Sequence, residues 1–213
     1  MPLRAVIFDY GQVLSSSADP TAHARLLEIT GLPPEIFDTY YWKYRLDYDR
    51  GTLTGRTYWQ TICRDTGVSL IVEQVDSLIE QDILHWVGLN SVMLNWVTRV
   101  RAAGMKIAIL SNMGEDLLAH MLKHFVWLND FDHLTWSCEL DMVKPEAAIY
   151  RHTLKKLGVE PGEALFLDDK AENIEGARRI GIHALLFRDA LTLQADLERA
   201  GWAKELPQVI PVV

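Results

Sequence analysis

The sequence predicts an α/β protein, a parallel sheet with helices on both faces and a helical block inserted after the first strand. Three observations carry this. Four short apolar runs stand out, AVIF (5–8), MKIAIL (105–110), EALFL (163–167) and HALLF (183–187). They are nearly continuous rather than alternating, as strands buried on both faces must be. From about residue 90 onward these runs alternate with helix-length segments, the pattern of a parallel sheet with crossover helices. Between residues 15 and 89 the period is helical and no convincing strand appears.

Each element has its own signals. Asn90 is placed to cap a helix through VMLNWVTRVRAAG, which stops at Gly104 before the second run. EDLLAHMLKHF follows that run. PEAAIYRHTLKKLG opens on a proline and ends on Gly158, the usual asymmetry of helix ends. ENIEGARRIG joins the third run to the fourth. In the inserted block, TAHARLLEITG ends at Gly31 and PEIFDTYYWKYRLDYDR reads as one aromatic-rich helix stopping at Gly51. Thr54 is placed to cap GRTYWQTICRDTG, and VEQVDSLIEQDIL completes the set. The block reads as a lid, and its aromatic run from Tyr40 to Tyr48 as the lid's own core. The tail from Lys204 to Val213, with Pro207 and Pro211, reads as an extended edge segment.

Composition narrows the partners. The formal net charge of −8 argues against nucleic acid, whose phosphate backbone requires a basic face. Cys63 and Cys138 form no short motif, so neither a disulfide framework nor a zinc site is expected, and a cytoplasmic setting fits. The N-terminus lacks the apolar stretch of a signal peptide, and no segment approaches membrane-span length. A small-molecule substrate is expected, with the chain a monomer or homodimer.

Open α/β sheets bind ligands beyond the carboxyl ends of their strands. Those ends carry Asp9, then Ser111 and Asn112, then Asp168 and Asp169, and Lys144 stands in a loop just before a helix. Singly, each has an ordinary reading: a strand-end Asp caps a turn, and a lysine before proline is solvated. Their convergence on one crevice is what argues for chemistry. Three neighbouring carboxylates need a counter-charge, and a hard divalent cation such as Mg²⁺ supplies it. A cation plus Lys144 attracts a dianion, most naturally a phosphate, and one carboxylate can then serve as nucleophile.

FDYGQVL (8–14), LSN (110–112), KPEAAIY (144–150) and FLDDKAENIEGA (166–177) resemble, in order and spacing, the four motifs of the haloacid dehalogenase-like (HAD) hydrolase superfamily. The resemblance is closest to bacterial phosphatases acting on sugar phosphates such as glucose 1-phosphate, and to the N-terminal phosphatase domain of soluble epoxide hydrolases. It implies a Rossmann-like core from residues 1–14 and 90–213, with an inserted helical cap at 15–89. It further implies Asp9 as nucleophile and Mg²⁺ ligand, with the Gly11 backbone carbonyl also on the metal. Ser111 and Asn112 would hold the transferring phosphoryl group, and Lys144 would stabilise its charge and orient Asp9. Asp169 would ligate the metal with Asp168 beside it, directly or through water. Asn173 would brace that loop.

One position departs from the resemblance. Most phosphatases of this superfamily carry a second Asp two residues after the nucleophile, which protonates the leaving group; here that residue is Gly11. Losing a general acid costs a factor of about 10² to 10⁴, less when the leaving group is a weak base or another group delivers the proton. His23, Lys43, Asp47 and Asp49 are the candidates in the inserted block. The expected activity is therefore Mg²⁺-dependent hydrolysis of a small organic phosphate with a good leaving group. Alternatives on the same scaffold are a 2-haloacid dehalogenase, which needs no proton for a halide, or a phosphonate hydrolase using Lys43. A catalytically weak phosphate-binding protein is the non-enzymatic reading.

Overall fold

The structure is a computed structural model and describes residues 1–210. The four apolar runs form parallel strands: β1 (Ala5–Phe8), β2 (Lys106–Ser111), β4 (Ala164–Asp168) and β5 (His183–Leu186). A fifth, β3 (His133–Trp136), lies at one edge, giving the order β3-β2-β1-β4-β5. It was not expected from sequence, because HLTW is short, has only two apolar residues and leaves His133 and Leu134 only half-buried.

Strand β1 sits at the centre, with Phe8 opposite Ile109 of β2 and Leu167 of β4. That register brings Asp9, one residue past Phe8, together with the last residues of β2 and β4, Ser111 and Asp168, to one edge of the sheet. The strand's side chains alternate between two cores. Val6 and Phe8 join the cluster of Trp96, Leu117 and Leu193, which come from α6 (Ser91–Ala102), α7 (Glu115–His124) and α11 (Ala190–Arg199). Ala5 and Ile7 face Ile149, Leu154 and Ile174 of α9 (Ala147–Leu157) and α10 (Ala171–Arg179). Asn90 caps α6 through Met93 N–H as expected.

Residues 20–86 form α1 (Pro20–Thr30), α2 (Pro34–Lys43), α3 (Arg45–Arg50), α4 (Gly55–Thr66) and α5 (Val72–Trp86). They have their own buried cluster, which includes Leu26, Phe37, Tyr58, Trp59, Ile62 and Leu78. The single helix expected over 34–50 is broken at Tyr44 (φ −105°, ψ 0°). Beyond the break Arg45, Tyr48 and Asp49 are buried, and Arg45 pairs with Asp49 of its own helix and with Asp82 of α5. Trp42, assigned to the lid core by its sequence, is half-exposed instead and lines a cavity. The chain enters and leaves this layer side by side, through an antiparallel bridge between Ser15 and Leu89.

The tail differs from the extended edge segment expected over 204–213. Leu206 and Val209 are buried against α6, and Trp96 Nε1 donates to the Pro207 carbonyl at 2.8 Å. Apolar burial outweighs sheet pairing there; residues 211–213 lie outside the described residues. Cys63 and Cys138 are free thiols. Among the described residues no helix is long and apolar enough to cross a membrane.

Candidate active site

Lys144 organises the crevice at the carboxyl edge of the sheet. Its buried Nζ lies 2.8 Å from Asp9 Oδ1 and 2.6 Å from Asp168 Oδ2. Asp9 Oδ1 also accepts the Tyr10 N–H at 2.7 Å, whereas Oδ2 takes no hydrogen bond from the described residues. Asp168 is fully engaged: Oδ1 accepts the Lys170 N–H at 2.8 Å, and Asn173 Nδ2 donates to both oxygens at 3.0 Å. Asn112 spends its side chain on the backbone of Lys144, accepting its N–H at 2.8 Å and donating to its carbonyl at 3.0 Å. It therefore fixes the loop that delivers the ammonium. Ser111 is buried at the cavity wall.

Gly176 lets this loop and α10 touch. A Cβ there would stand 2.7 Å from Pro145 Cβ and 2.8 Å from the Pro145 carbonyl oxygen, so only glycine fits without displacement. Tyr150 donates to the Asn173 carbonyl at 2.8 Å and joins α9 to α10.

The charges do not balance. Three carboxylates, Asp9, Asp168 and Asp169, can each place one oxygen within 4.8 Å of the others. Lys144 offsets one of them. Burial pushes Asp9 up to about 7, against the pull of Lys144 and with the Asp168 charge adding to it. Burial and the Asp168 charge also raise Asp169. Burial alone would lower Lys144, but the Asp168 and Asp9 charges outweigh it and hold the ammonium above its ordinary value. An all-oxygen donor set with excess negative charge fits a hard divalent cation.

The turn after β1 shapes the rest. Gln12 adopts φ 56°, a conformation rare for side-chain-bearing residues, and holds it by giving its N–H to Ser15 Oγ and its Nε2 to Asp169 Oδ2, both at 2.8 Å. Sequence reasoning passed over Gln12, since a glutamine after glycine has no signature. A Cβ at Gly11 would meet no atom within 4 Å.

Over the crevice, Trp42, Arg45, Asp49 and Trp86 close a cavity whose floor includes Asp9, Ser111, Asn112, Lys144 and Asp169. Of the four candidate proton donors, only Asp49 lines it. His23 contacts Asp38 at 3.2 Å beside the His85 ring, and Lys43 pairs with Asp65 at 3.7 Å. Asp47 stands at the solvent side of α3 and is absent from the wall. Lys43 is absent from the cavity wall, where the lysines are Lys144 and Lys170. Arg45 was not anticipated; it is buried between Asp49 and Asp82, with Nη1 also donating to Tyr41 Oη at 2.6 Å. Nothing in the sequence marks an arginine as buried.

This crevice, with a carboxylate nucleophile candidate on the central strand and an ammonium and an acidic pair beside it, is that of a hydrolase built on an α/β sheet. The family profile described as haloacid dehalogenase-like hydrolase matches residues 3–181, and the chain belongs to that family. It is 29% identical to bifunctional epoxide hydrolase 2 of Sus scrofa over 93% of this chain, but spans only 39% of that protein's length. It is 27% identical to Phosphatase MT3486 of Mycobacterium tuberculosis over 94% of this chain and 100% of that protein. It is also 27% identical to (S)-2-haloacid dehalogenase 1 of a Pseudomonas species, over 86% and 84% of the two chains. A HAD family enzyme from Bacteroides thetaiotaomicron shares the fold at a TM-score of 0.75 and 20% identity, over 88% of this chain and 95% of that one.

Proposed function

We propose that this protein is a Mg²⁺-dependent phosphatase that hydrolyses a small organic phosphate through an aspartyl-phosphate on Asp9. The observation that carries the reading is the state of Asp9: Oδ1 is held by Lys144 and the Tyr10 N–H, and Oδ2 is left free to attack. A carboxylate positioned in this way acts as a nucleophile that splits one hard displacement into two easier ones. Residues 15–89 serve as the cap that closes over it. Lys144, bonded to two acids, orients Asp9 and faces the incoming phosphoryl charge. Ser111 supplies a hydroxyl to the phosphoryl oxygens; Asn112, its amide committed to Lys144, supplies only backbone N–H. Asp9, Asp169 and the Gly11 carbonyl would hold the ion, with Asp168 behind them as the anchor of Lys144 and Asn173 as the brace of Asp168. Bound there, Mg²⁺ would offset the excess negative charge and polarise a phosphoryl oxygen. The relative named as a phosphatase along its whole length supports this reading.

The test is phosphate release from a panel of sugar phosphates with Mg²⁺ present. Release by the wild type that Asp9→Asn abolishes is expected; no release from any member overturns the proposal. The lack of an acid at Gly11, together with the dehalogenase relative, favours 2-haloacid dehalogenation as a second reading. Halide release indifferent to chelators would establish it instead.

A further inference from the structure

We infer that Asp49 is the acid that protonates the leaving oxygen, and the base that afterwards activates water. This rests on the phosphatase reading above. Asp49 lines the same cavity as Asp9 and is only 8% exposed. Its Oδ1 accepts Arg45 Nε–H at 3.0 Å, and its Oδ2 takes no hydrogen bond from the described residues. It is thus a buried carboxyl with one oxygen anchored and the other uncommitted, in the wall of the cavity that also holds the proposed nucleophile.

Its backbone is fixed to the core. Ser137, which opens α8 (Ser137–Leu140), donates to the Asp49 carbonyl while accepting the Met113 N–H at 2.9 Å. Met113 directly follows Ser111 and Asn112, so one hydroxyl ties α3 to the segment proposed to hold the phosphoryl group. Tyr48, the neighbour of Asp49, donates to Asp116 Oδ2 at 2.8 Å and lies against Gly114, where a Cβ would come within 2.1 Å of its ring. Arg50 closes the other side through Glu146 at 2.6 Å. Asp49 is held on rigid supports, which a proton donor requires.

The surrounding charges suit both roles. Arg45 faces Asp49 from its own helix, Asp82 from α5, Tyr58 from α4, Cys138 from α8 and Lys170 from the loop before α10. Burial raises the Asp49 pKa; Arg45 and Lys170 oppose this, Asp82 adds to it, and the balance lies above the ordinary carboxylate value. Once the proton has left, the Arg45 guanidinium remains bonded to the carboxylate and stabilises it.

In the first step an Asp9 oxygen bonds to phosphorus as the bond from phosphorus to the leaving oxygen breaks, and the Asp49 proton passes to that oxygen, releasing the alcohol. In the second, the Asp49 carboxylate takes a proton from water as the water oxygen bonds to phosphorus. The bond to Asp9 breaks, inorganic phosphate departs, and both side chains return to their starting forms.

The experiment compares wild type with Asp49→Asn on an alkyl phosphate and on p-nitrophenyl phosphate, whose leaving group needs no proton. The expected result is a fall of about 10² or more in kcat/KM for the alkyl ester. For the nitrophenyl ester kcat/KM should change less than about threefold, while kcat drops and a burst of nitrophenol appears as the second step slows. An equal loss on both esters, or none on either, overturns the inference while leaving the phosphatase reading standing. A wild type silent on both overturns the phosphatase reading and this inference with it. Should Asp49→Asn fail to fold, Asp49→Glu keeps the carboxyl on a longer arm. Its losses should grow with leaving-group basicity, and losses parallel across esters overturn the proposal.

Discussion

The Lys144 ammonium and the Asp168 carboxylate meet at 2.6 Å with side chains 1% and 0% exposed. Removing one partner of such a pair leaves an uncompensated buried charge and typically costs about 3–5 kcal/mol. Asp168→Asn should therefore lower unfolding stability by about that amount in urea titrations with an unchanged m-value, and abolish turnover. A variant with wild-type stability would show that Asp9 alone suffices to compensate Lys144.

Asp9 makes stability depend on pH in a stated direction. Its folded-state pKa, pushed up to about 7 from 3.8, means that the native metal-free protein binds more protons than the unfolded chain between those values. The stabilisation is complete below the unfolded pKa and is lost as pH rises through 7. The difference in thermal midpoint between metal-free wild type and Asp9→Asn should thus shift against the wild type from pH 5.5 to pH 8. Taking the difference cancels the buried histidines, such as His85, which act in the opposite sense. Mg²⁺ should raise the wild-type midpoint most at the alkaline end. A difference that stays flat, or grows in favour of the wild type with pH, would contradict this.

Four of the five strands were legible because burial on both faces leaves long apolar runs, and strand ends could be located from them. That was enough to see Asp9, Ser111, Asp168 and Asp169 converge on one crevice with Lys144. Strand β3 has a two-sided neighbourhood only through β2 and carries no such run. The break at Tyr44 carries no local signal, and the partner Arg45 meets beyond it, Asp82, lies 37 residues away in sequence. The partners of Asn112 and Gln12 were opaque for the same reason. Their amides are committed to Lys144 and Asp169, and an amide's partner follows from tertiary structure and not from local pattern. Among the four candidate proton donors of residues 15–89 the sequence could not single out Asp49, the one that lines the cavity, since the orientation of α3 follows from its docking on Ser137 and Asp116.

Gly176→Ala tests how closely α10 must approach the Lys144 loop. The added methyl would stand 2.8 Å from the Pro145 carbonyl, which belongs to backbone and cannot swing aside. Overpacking costs about 1–3 kcal/mol, while replacing glycine by alanine inside a helix returns about 1 kcal/mol. Net stability should fall by about 1 kcal/mol. Activity should fall much further, because the displaced loop carries Lys144 and the displaced helix adjoins Asp169. Loss of stability without loss of activity, read by melting and turnover on the same samples, would mean that the loop yields without moving its ammonium.

Gly11→Asp carries the opposite expectation, although both glycines lie in the motif segments. Nothing stands within 4 Å of a Cβ at Gly11, and its φ of −59° with ψ of 124° is ordinary for any residue, so the variant should fold. The new carboxyl adds a fourth acid to an already negative crevice, so the metal-free form should melt lower and the Mg²⁺-bound form close to wild type. It also places an acid two residues after Asp9, beside the proposed nucleophile. Hydrolysis of alkyl phosphates should rise by about tenfold or more, while p-nitrophenyl phosphate, whose leaving group needs no proton, should be cleaved with little change in kcat/KM. In the Asp49→Asn background the gain should be larger, because two acids serving one proton transfer are partly redundant. A folded Gly11→Asp protein with no gain on alkyl esters in either background would mean that the leaving oxygen faces α3 and lies beyond the reach of residue 11.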